Sequence, residues 1–215
     1  MTVTKLTSSK RVQGRYYVDF ESGETLRVTD ALISEFSLAP ERELTDEEYT
    51  DLRESAALAG AKSRALHILG AKMCSSGELK QRLVEFGENE DTAEEVCDWC
   101  AQMGLLDDVE YARQVALGYA ARGYGARKIR DELYRRRVPR ELWEDALEAL
   151  SEGETAAERA LEHIKKKLRG EKPDYDDRRK IGAALARRGF SWDEINAAFL
   201  LYAENANSED LDFDE

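Results

Sequence analysis

One stretch of this sequence occurs twice, 52 positions apart. The segment 126–147, ARKIRDELYRRRVPRELWEDAL, returns at 178–199 as RRKIGAALARRGFSWDEINAAF. A fainter copy, SSGELKQRLVEFG, lies 50 residues upstream of the first. A period near 50 built of helical segments predicts stacked modules and excludes one mixed core. In the two strong copies the corresponding apolar pairs are Ile129 and Ile181, Leu133 and Leu185, Val138 and Phe190, Trp143 and Ile195, Ala146 and Ala198, and Leu147 and Phe199.

Basic residues recur at equivalent places as well. The net charge of the chain is −13, yet residues 122–140 carry +6 and residues 158–192 carry +5. Charge on a helix surface usually serves solubility. Its recurrence in two modules favours a binding surface, because solvation alone does not require equivalent positions. The candidate partner-binding residues are Arg122, Arg127, Lys128, Arg130, Arg135, Arg136, Arg137, Arg179, Lys180, Arg187 and Arg188.

Composition limits the location of the protein. The longest apolar runs, 115–121 and 197–203, have seven residues, whereas a membrane helix needs about 20. No apolar segment of the kind found in secretory signals follows the basic N-terminus. Three cysteines, an odd number without an export signal, favour reduced thiols. We therefore predict no membrane association and a cytoplasmic location.

Residues 1–60 are predicted to form a small appended module. Two short strands around a turn at 21–24, with alternating apolar residues in the first strand, indicate a β-hairpin at 16–28. A short helix is expected to follow, and a capping box at Thr45 begins another helix at 46–58. Residues 1–11 are expected to be disordered.

Three units of three helices each are predicted after this module, and helix caps are expected at Ser75, Thr92, Asp107 and Ser191. The expected fold class is mainly α, an elongated monomeric stack of tandem three-helix repeats. Its units are repeat 1 at 61–106, repeat 2 at 107–153 and repeat 3 at 154–203, followed by an acidic, disordered tail at 204–215.

Helical spacing predicts which side chains of the first repeat are buried. Leu66 and Leu69 should face its core, and Phe86 should join the apolar face of the second helix. His67 is expected to be packed on the same apolar stripe. His163, in a charged helix, is expected to be solvated.

No residue pattern predicts catalysis. Cys97 and Cys100 have redox-motif spacing, but they lie inside a predicted amphipathic helix, where packing in the core is the better account. Zinc would need further ligands, and Cys74, His67 and His163 lack the spacing of a zinc finger. Phosphate-cradling glycine loops, nucleophile elbows and paired-histidine motifs do not occur in the sequence. We predict a protein that is not an enzyme and holds neither a metal nor a cofactor.

Four motifs, SSGELKQRL, GLLDDVEYA, RGYGARKIRDEL and LARRGFSWDEINAAF, resemble in order and spacing those of the RecX family of recombinase regulators. The resemblance covers residues 62–202. It implies a curved stack of three-helix repeats that lies in the groove of a RecA filament on single-stranded DNA. Such a protein would inhibit the ATPase, strand-exchange and coprotease activities of RecA, and so modulate recombinational DNA repair and the SOS response. The chain departs from the pattern at Arg137, which occupies the position held by Gly87 and Gly189.

Two functions remain open at this point. The first is a protein-binding inhibitor of the filament. The second is a DNA-binding regulator, because three short helices with a basic middle helix also resemble helix-turn-helix modules. Clustered Asn, Gln and Ser that would read bases are missing from the middle helices. With the overall charge of −13, we expect weak or no binding to bare DNA.

Overall fold

The computed structural model describes residues 1–150 and 153–211, with side chains described as far as residue 205. Two compact units make up the chain: Met1–Met73 with Leu79–Leu106, and Cys74–Glu78 with Asp107–Glu215. In chain order the elements are β1 (Val3–Ser8), β2 (Arg15–Phe20), β3 (Thr25–Thr29), α1 (Asp30–Glu35), α2 (Asp46–Ala71), α3 (Ser76–Glu85), α4 (Glu90–Gln102), α5 (Asp108–Ala120), α6 (Ala126–Arg135), a 3₁₀ turn (Arg140–Leu142), α7 (Trp143–Glu148), α8 (Ala156–Leu168), α9 (Tyr175–Arg187) and α10 (Trp192–Leu211). The prediction of a mainly helical chain of three-helix repeats with a small β module is confirmed.

The N-terminal β-sheet has three antiparallel strands in the order β1-β2-β3. The hairpin predicted at 16–28 is confirmed as β2 and β3. The prediction of disorder at 1–11 is wrong, because β1 pairs along β2. Its Val3 is buried and donates its backbone N–H to the carbonyl of Arg42 over 2.9 Å.

A single apolar cluster supports this sheet. Val18 and Val28 turn inwards from neighbouring strands and pack with Leu32 of α1 and Leu52 of α2. An isolated hairpin is only marginally stable in water, so the two helices supply the apolar surface that this sheet needs.

Helix α2 is continuous over 26 residues, where the sequence predicted two helices. Its start is as predicted, with a capping box between Thr45 and Glu48. Gly60 does not end the helix, because the alanine-rich sequence around it has high helix propensity. The expected boundary between residues 60 and 61 therefore falls inside α2.

The buried face of α2 in the first repeat differs from the predicted one. Ala65 and Ile68 are buried, whereas Leu66 is 45% exposed and His67 is exposed as well. Phe86, expected on the apolar face of α3, is 64% exposed. Those three expectations are wrong: in the first repeat Ala61, Ala65 and Ile68 form the buried face of α2, and Phe86 lies just beyond the end of α3.

The predicted helix caps hold with one exception. Asn89, one turn before the expected Thr92, caps α4 by accepting a hydrogen bond from the Thr92 N–H. Asp107 accepts from the Glu110 N–H at the start of α5. Ser191 exchanges reciprocal bonds with Glu194, as the sequence predicts.

Repeats 2 and 3 each have a core of their own. In repeat 2, α5 to α7 pack around Ile129 and Leu133. In repeat 3, α8 to α10 pack around Leu185 and Ile195. The duplicated apolar skeleton therefore fills equivalent cores, as the repeat predicts.

Helix α10 continues to Leu211, past the point where an acidic tail was expected to begin. Residues 212–215 of that predicted tail lie outside the described residues.

Cys97 and Cys100 are buried in α4, which confirms their packing role, and none of the three cysteines forms a disulfide. No helix in the described part of the chain is long and apolar enough to cross a membrane.

Candidate functional site

The middle helices of all three repeats end in a left-handed backbone conformation. The φ angles are 98° at Gly87, 53° at Arg137 and 94° at Gly189. In repeat 2 the Val138 N–H donates to the Leu133 carbonyl over 3.0 Å, which closes the helix end. Arg137 therefore keeps the backbone conformation of the two glycines.

The end of α9 meets the start of α6. The Gly125 N–H donates to the Arg188 carbonyl over 2.9 Å, and the Arg127 N–H donates to the Gly189 carbonyl over 3.2 Å. No side chain caps α6. The first N–H groups of a helix need partners outside it, and here the carbonyls of the following repeat supply them. We call this contact the α6–α9 junction.

The same pattern occurs one repeat earlier, within the second compact unit. Ser75, 50 positions before Gly125, donates its hydroxyl hydrogen to the Arg136 carbonyl over 2.5 Å. A Cβ on Gly77 would overlap the carbonyl oxygen of Arg137. The basic end of each of these two middle helices thus contacts the residues that begin the preceding one.

A buried carboxylate binds two of the predicted cations in repeat 2. Glu132 is 6% exposed and accepts two bonds from Arg135, over 2.6 and 2.9 Å. Arg136 also donates to Glu132, and to the Tyr111 hydroxyl over 2.8 Å. Burial raises the pKa of Glu132, but the bonds from Arg135 and Arg136 outweigh it and hold the pKa at about 2. Arg136 and Glu132 are therefore parts of the folded core.

Repeat 3 lacks this carboxylate, because Ala184 stands where repeat 2 has Glu132. Arg188 instead donates to the carbonyls of Arg122 and Gly123, each over 3.1 Å. Its guanidinium also lies 5.4 Å from the centre of the Tyr124 ring. Arg188 is half-buried and contributes to the contact between repeats 2 and 3.

His163 lies near Arg188 and not in solvent, contrary to the prediction. The side chain is half-buried, and its Nε2 has no hydrogen-bond partner among the described residues. Burial lowers the pKa of His163, and the nearby positive charges of Arg188, Lys167 and Lys166 lower it further. Both effects favour the uncharged form of this histidine.

The remaining predicted cations divide into two groups. Arg122 lies 4.0 Å from the Tyr119 ring centre, Arg130 makes two bonds to Glu144, and Arg179 pairs with Asp176. The second group is exposed and makes no ion pair within the part of the chain whose side chains the structure describes. It consists of Arg127, Lys128, Arg137, Lys180 and Arg187.

Three further residues at the end of α6 were not identified as candidate binding residues by the comparison of the repeated segments. Tyr134 is 75% exposed, and Trp143, taken only as a core position, is half-buried beside it. Arg140 is exposed on the turn between them. Tyr134 corresponds to Ala186 in repeat 3, so a search for duplicated residues could not detect it.

Comparisons with known proteins match the three repeats one by one. The RecX first, second and third three-helix domains match residues 61–100, 107–147 and 154–199. A regulatory protein RecX from Pelodictyon phaeoclathratiforme is 32% identical over 146 residues, which are 66% of this chain and 88% of that protein. One from Mycolicibacterium vanbaalenii is 33% identical over 156 residues, or 68% of this chain and 83% of the relative. One from Streptococcus gordonii is 24% identical over 219 residues, or 100% of this chain and 83% of the relative.

Solved structures support the same fold. A crystal structure of regulatory protein RecX has a TM-score of 0.71 and 23% identity, over 92% of this chain and 98% of the other. RecX from Lactobacillus salivarius has a TM-score of 0.61 and 22% identity, over 68% of this chain and 96% of the other. From the matched domains and the relatives more than 30% identical, the chain belongs to the RecX family of regulatory proteins.

Proposed function

We propose that this protein is a regulator that binds the RecA filament on single-stranded DNA in the cytoplasm. Bound there as a monomer, it inhibits ATP hydrolysis, strand exchange and coprotease activity, and so modulates recombinational repair and the SOS response. It acts by binding and needs no catalytic group or cofactor. The observation that supports this best is the α6–α9 junction, because it collects exposed cations from both copies of the repeated segment.

The hydrogen bond from Arg127 to Gly189 holds the first turn of α6 against the end of α9. Arg127 and Lys128 belong to that turn, and Arg187 is the last residue of α9. Lys180 adds a further exposed cation on α9. Guanidinium and ammonium groups without an internal partner favour carboxylates or phosphates of a bound partner.

The charge of the rest of the chain favours a specific binding site on the filament over non-specific binding to DNA. Its net charge of −13 disfavours the long-range attraction that non-specific DNA binding requires. In the proposed complex these cations would bind acidic side chains of the recombinase or phosphates of the threaded strand. We therefore assign the junction to the filament and expect weak or no binding to bare DNA.

The test reverses charge at the junction and at Lys180 on the same helix, α9. The variant carries Arg127→Glu, Lys128→Glu, Lys180→Glu and Arg187→Glu. Its matched control carries the same charge change at exposed cations elsewhere, namely Lys5→Glu, Lys10→Glu, Arg11→Glu and Arg113→Glu. Four lost charge contacts should raise the concentration that half-inhibits RecA strand exchange by roughly 10- to 100-fold, while the control inhibits like the parent. Circular dichroism and thermal melting establish that both variants are folded.

If the two variants inhibit strand exchange equally well, the surface that contacts the filament lies elsewhere than at the junction. Inhibition by the parent should also weaken with salt, since exposed charges are screened over about 8 Å at physiological ionic strength. The DNA-binding alternative predicts a different order of affinities. It requires the parent protein to bind bare duplex DNA more tightly than it binds the filament.

A further inference from the structure

An open cleft lies at the end of α6, beside the left-handed residue. Two aromatic rings and three guanidinium groups dominate its lining, which consists of Tyr134, Arg135, Arg137, Val138, Arg140 and Trp143. No carboxylate is among these lining residues. A positive, aromatic cleft is unusual in a chain whose net charge is −13.

The aromatic wall is positioned by hydrogen bonding and by ring contact. Trp143 donates its indole N–H to the Val138 carbonyl over 3.0 Å, which fixes the ring. Tyr134 meets Trp143 edge to face, with ring centres 6.4 Å apart and planes at 83°. Tyr134 is nevertheless 75% exposed, so core packing does not account for this large aromatic side chain.

The guanidinium groups of the cleft are available to an anion. Arg137 and Arg140 are exposed and make no ion pair with any residue whose side chain the structure describes. Arg135 is held by its two bonds to Glu132. The turn that follows α6 thus carries two unpaired cations next to an exposed ring.

We propose that this cleft binds one nucleotide of single-stranded nucleic acid. The base stacks on Tyr134, and Arg137 and Arg140 bind the adjoining phosphate. Stacking on an aromatic ring combined with a positive groove is how proteins hold single strands without reading their sequence. A duplex offers no such face, because its bases are stacked on one another.

Two of the residues that form this cleft are not repeated in the other modules. Tyr134 corresponds to Ala186 in repeat 3 and to Val84 in repeat 1, and Arg140 corresponds to Trp192 and Glu90. One protein therefore holds one nucleotide. Such a site alone gives weak affinity for bare strands, in keeping with the low affinity expected for bare DNA.

This inference deepens the proposed function, in which the strand inside the filament is the natural source of the nucleotide. Its test is separate, since it uses oligonucleotides at low salt without a recombinase. Failure here leaves inhibition by the junction intact, and loss of inhibition by the junction variant leaves this site intact.

The probes are a fluorescent oligothymidylate of about 12 nucleotides, the same length of abasic strand, and the duplex form. Tyr134→Ala should lower the affinity for oligothymidylate by about 5- to 150-fold, the range for one stacked base. Binding of the abasic strand, which keeps every phosphate, should not change. Tyr134→Phe should restore binding. Tyr175→Ala, at a tyrosine that is 83% exposed on α9, serves as the matched control and should bind like the parent.

Several results would overturn the assignment. The parent protein could bind abasic and intact strands equally, or Tyr134→Ala could bind oligothymidylate as the parent does. Free thymidine monophosphate that competes as well as the oligonucleotide would show a site for free nucleotides. An acidic peptide of equal charge that displaces the strand at lower concentration would show a protein-binding cleft.

Discussion

The backbones of Gly125 and Gly189 lie in direct contact: a Cβ on Gly125 would stand 2.5 Å from the carbonyl carbon and oxygen of Gly189. Two helices can approach this closely only without side chains between them. The approach lets the carbonyls of Arg188 and Gly189, just past α9, accept the N–H groups of Gly125 and Arg127 at the start of α6. Helix capping between repeats thus replaces a side-chain cap within α6.

Gly125→Ala should therefore destabilise the protein by about 1–3 kcal/mol, because the added methyl group meets backbone and the α6–α9 junction must shift. The φ angle at Gly125 is −86°, so backbone strain is not the cause. Urea unfolding measures the change. Gly118→Ala is the matched control inside α5, where a Cβ has no neighbour within 4 Å, and it should stabilise by up to about 1 kcal/mol. Equal effects of the two substitutions would contradict the close approach.

Arg137→Gly should stabilise the fold by about 1 kcal/mol, because Arg137 holds a φ of 53° that glycine adopts without steric cost. The thermal midpoint should rise accordingly. Arg140→Gly, at an exposed arginine in the adjacent 3₁₀ turn, is the comparison and should lower it. A lower midpoint for Arg137→Gly would mean that contacts of the arginine side chain outweigh the strain.

The pH dependence of stability should reflect Glu132. Its pKa is lowered from 4.5 to about 2 in the folded protein. A lowered carboxyl pKa contributes stability above the unfolded value, and that stability is lost as the pH falls from about 4.5 towards 2. Glu132→Gln should lose up to about 3 kcal/mol at neutral pH and lose less than the parent on acidification.

The control for this experiment is Glu141→Gln, at an exposed glutamate in the same repeat. It should unfold like the parent at every pH. Parallel acid-unfolding curves for the parent and Glu132→Gln would show that the carboxylate does not carry this stability.

Much of the repeat architecture follows from the sequence alone. Leu133 and Leu185 are buried in equivalent cores, because helical periodicity and duplication both depend on local sequence. The left-handed conformation of Arg137 follows from its alignment with Gly87 and Gly189. Such features are repeated along the chain, and each copy supports the interpretation of the others.

Features that depend on a single non-local contact could not be predicted. Strand β1 forms because it pairs with β2, and the polar sequence of β1 alone does not predict a strand. Arg136 and Arg188 occupy equivalent positions, yet one binds Glu132 and the other binds backbone carbonyls. Recurrence identifies matching positions, and tertiary packing decides which of their side chains remain free.

This division of the basic residues gives a further prediction, in which stability and inhibition separate. Arg136→Ala removes a partner from the buried Glu132 and from Tyr111, so it should destabilise by about 1–3 kcal/mol. Lys128→Ala keeps the Cβ that contacts the end of α9 and removes only an exposed ammonium group, so stability should change by less than about 0.5 kcal/mol.

Inhibition of RecA strand exchange should respond in the reverse way when both variants are assayed well below their thermal midpoints. Lys128→Ala should inhibit less than the parent, because the lost cation belongs to the proposed contact surface. Arg136→Ala should inhibit like the parent, because its guanidinium is turned to Glu132 and Tyr111. If Arg136→Ala loses inhibition while fully folded and Lys128→Ala keeps it, the partner contacts the half-buried arginine, and the exposed cations of the junction serve only solubility.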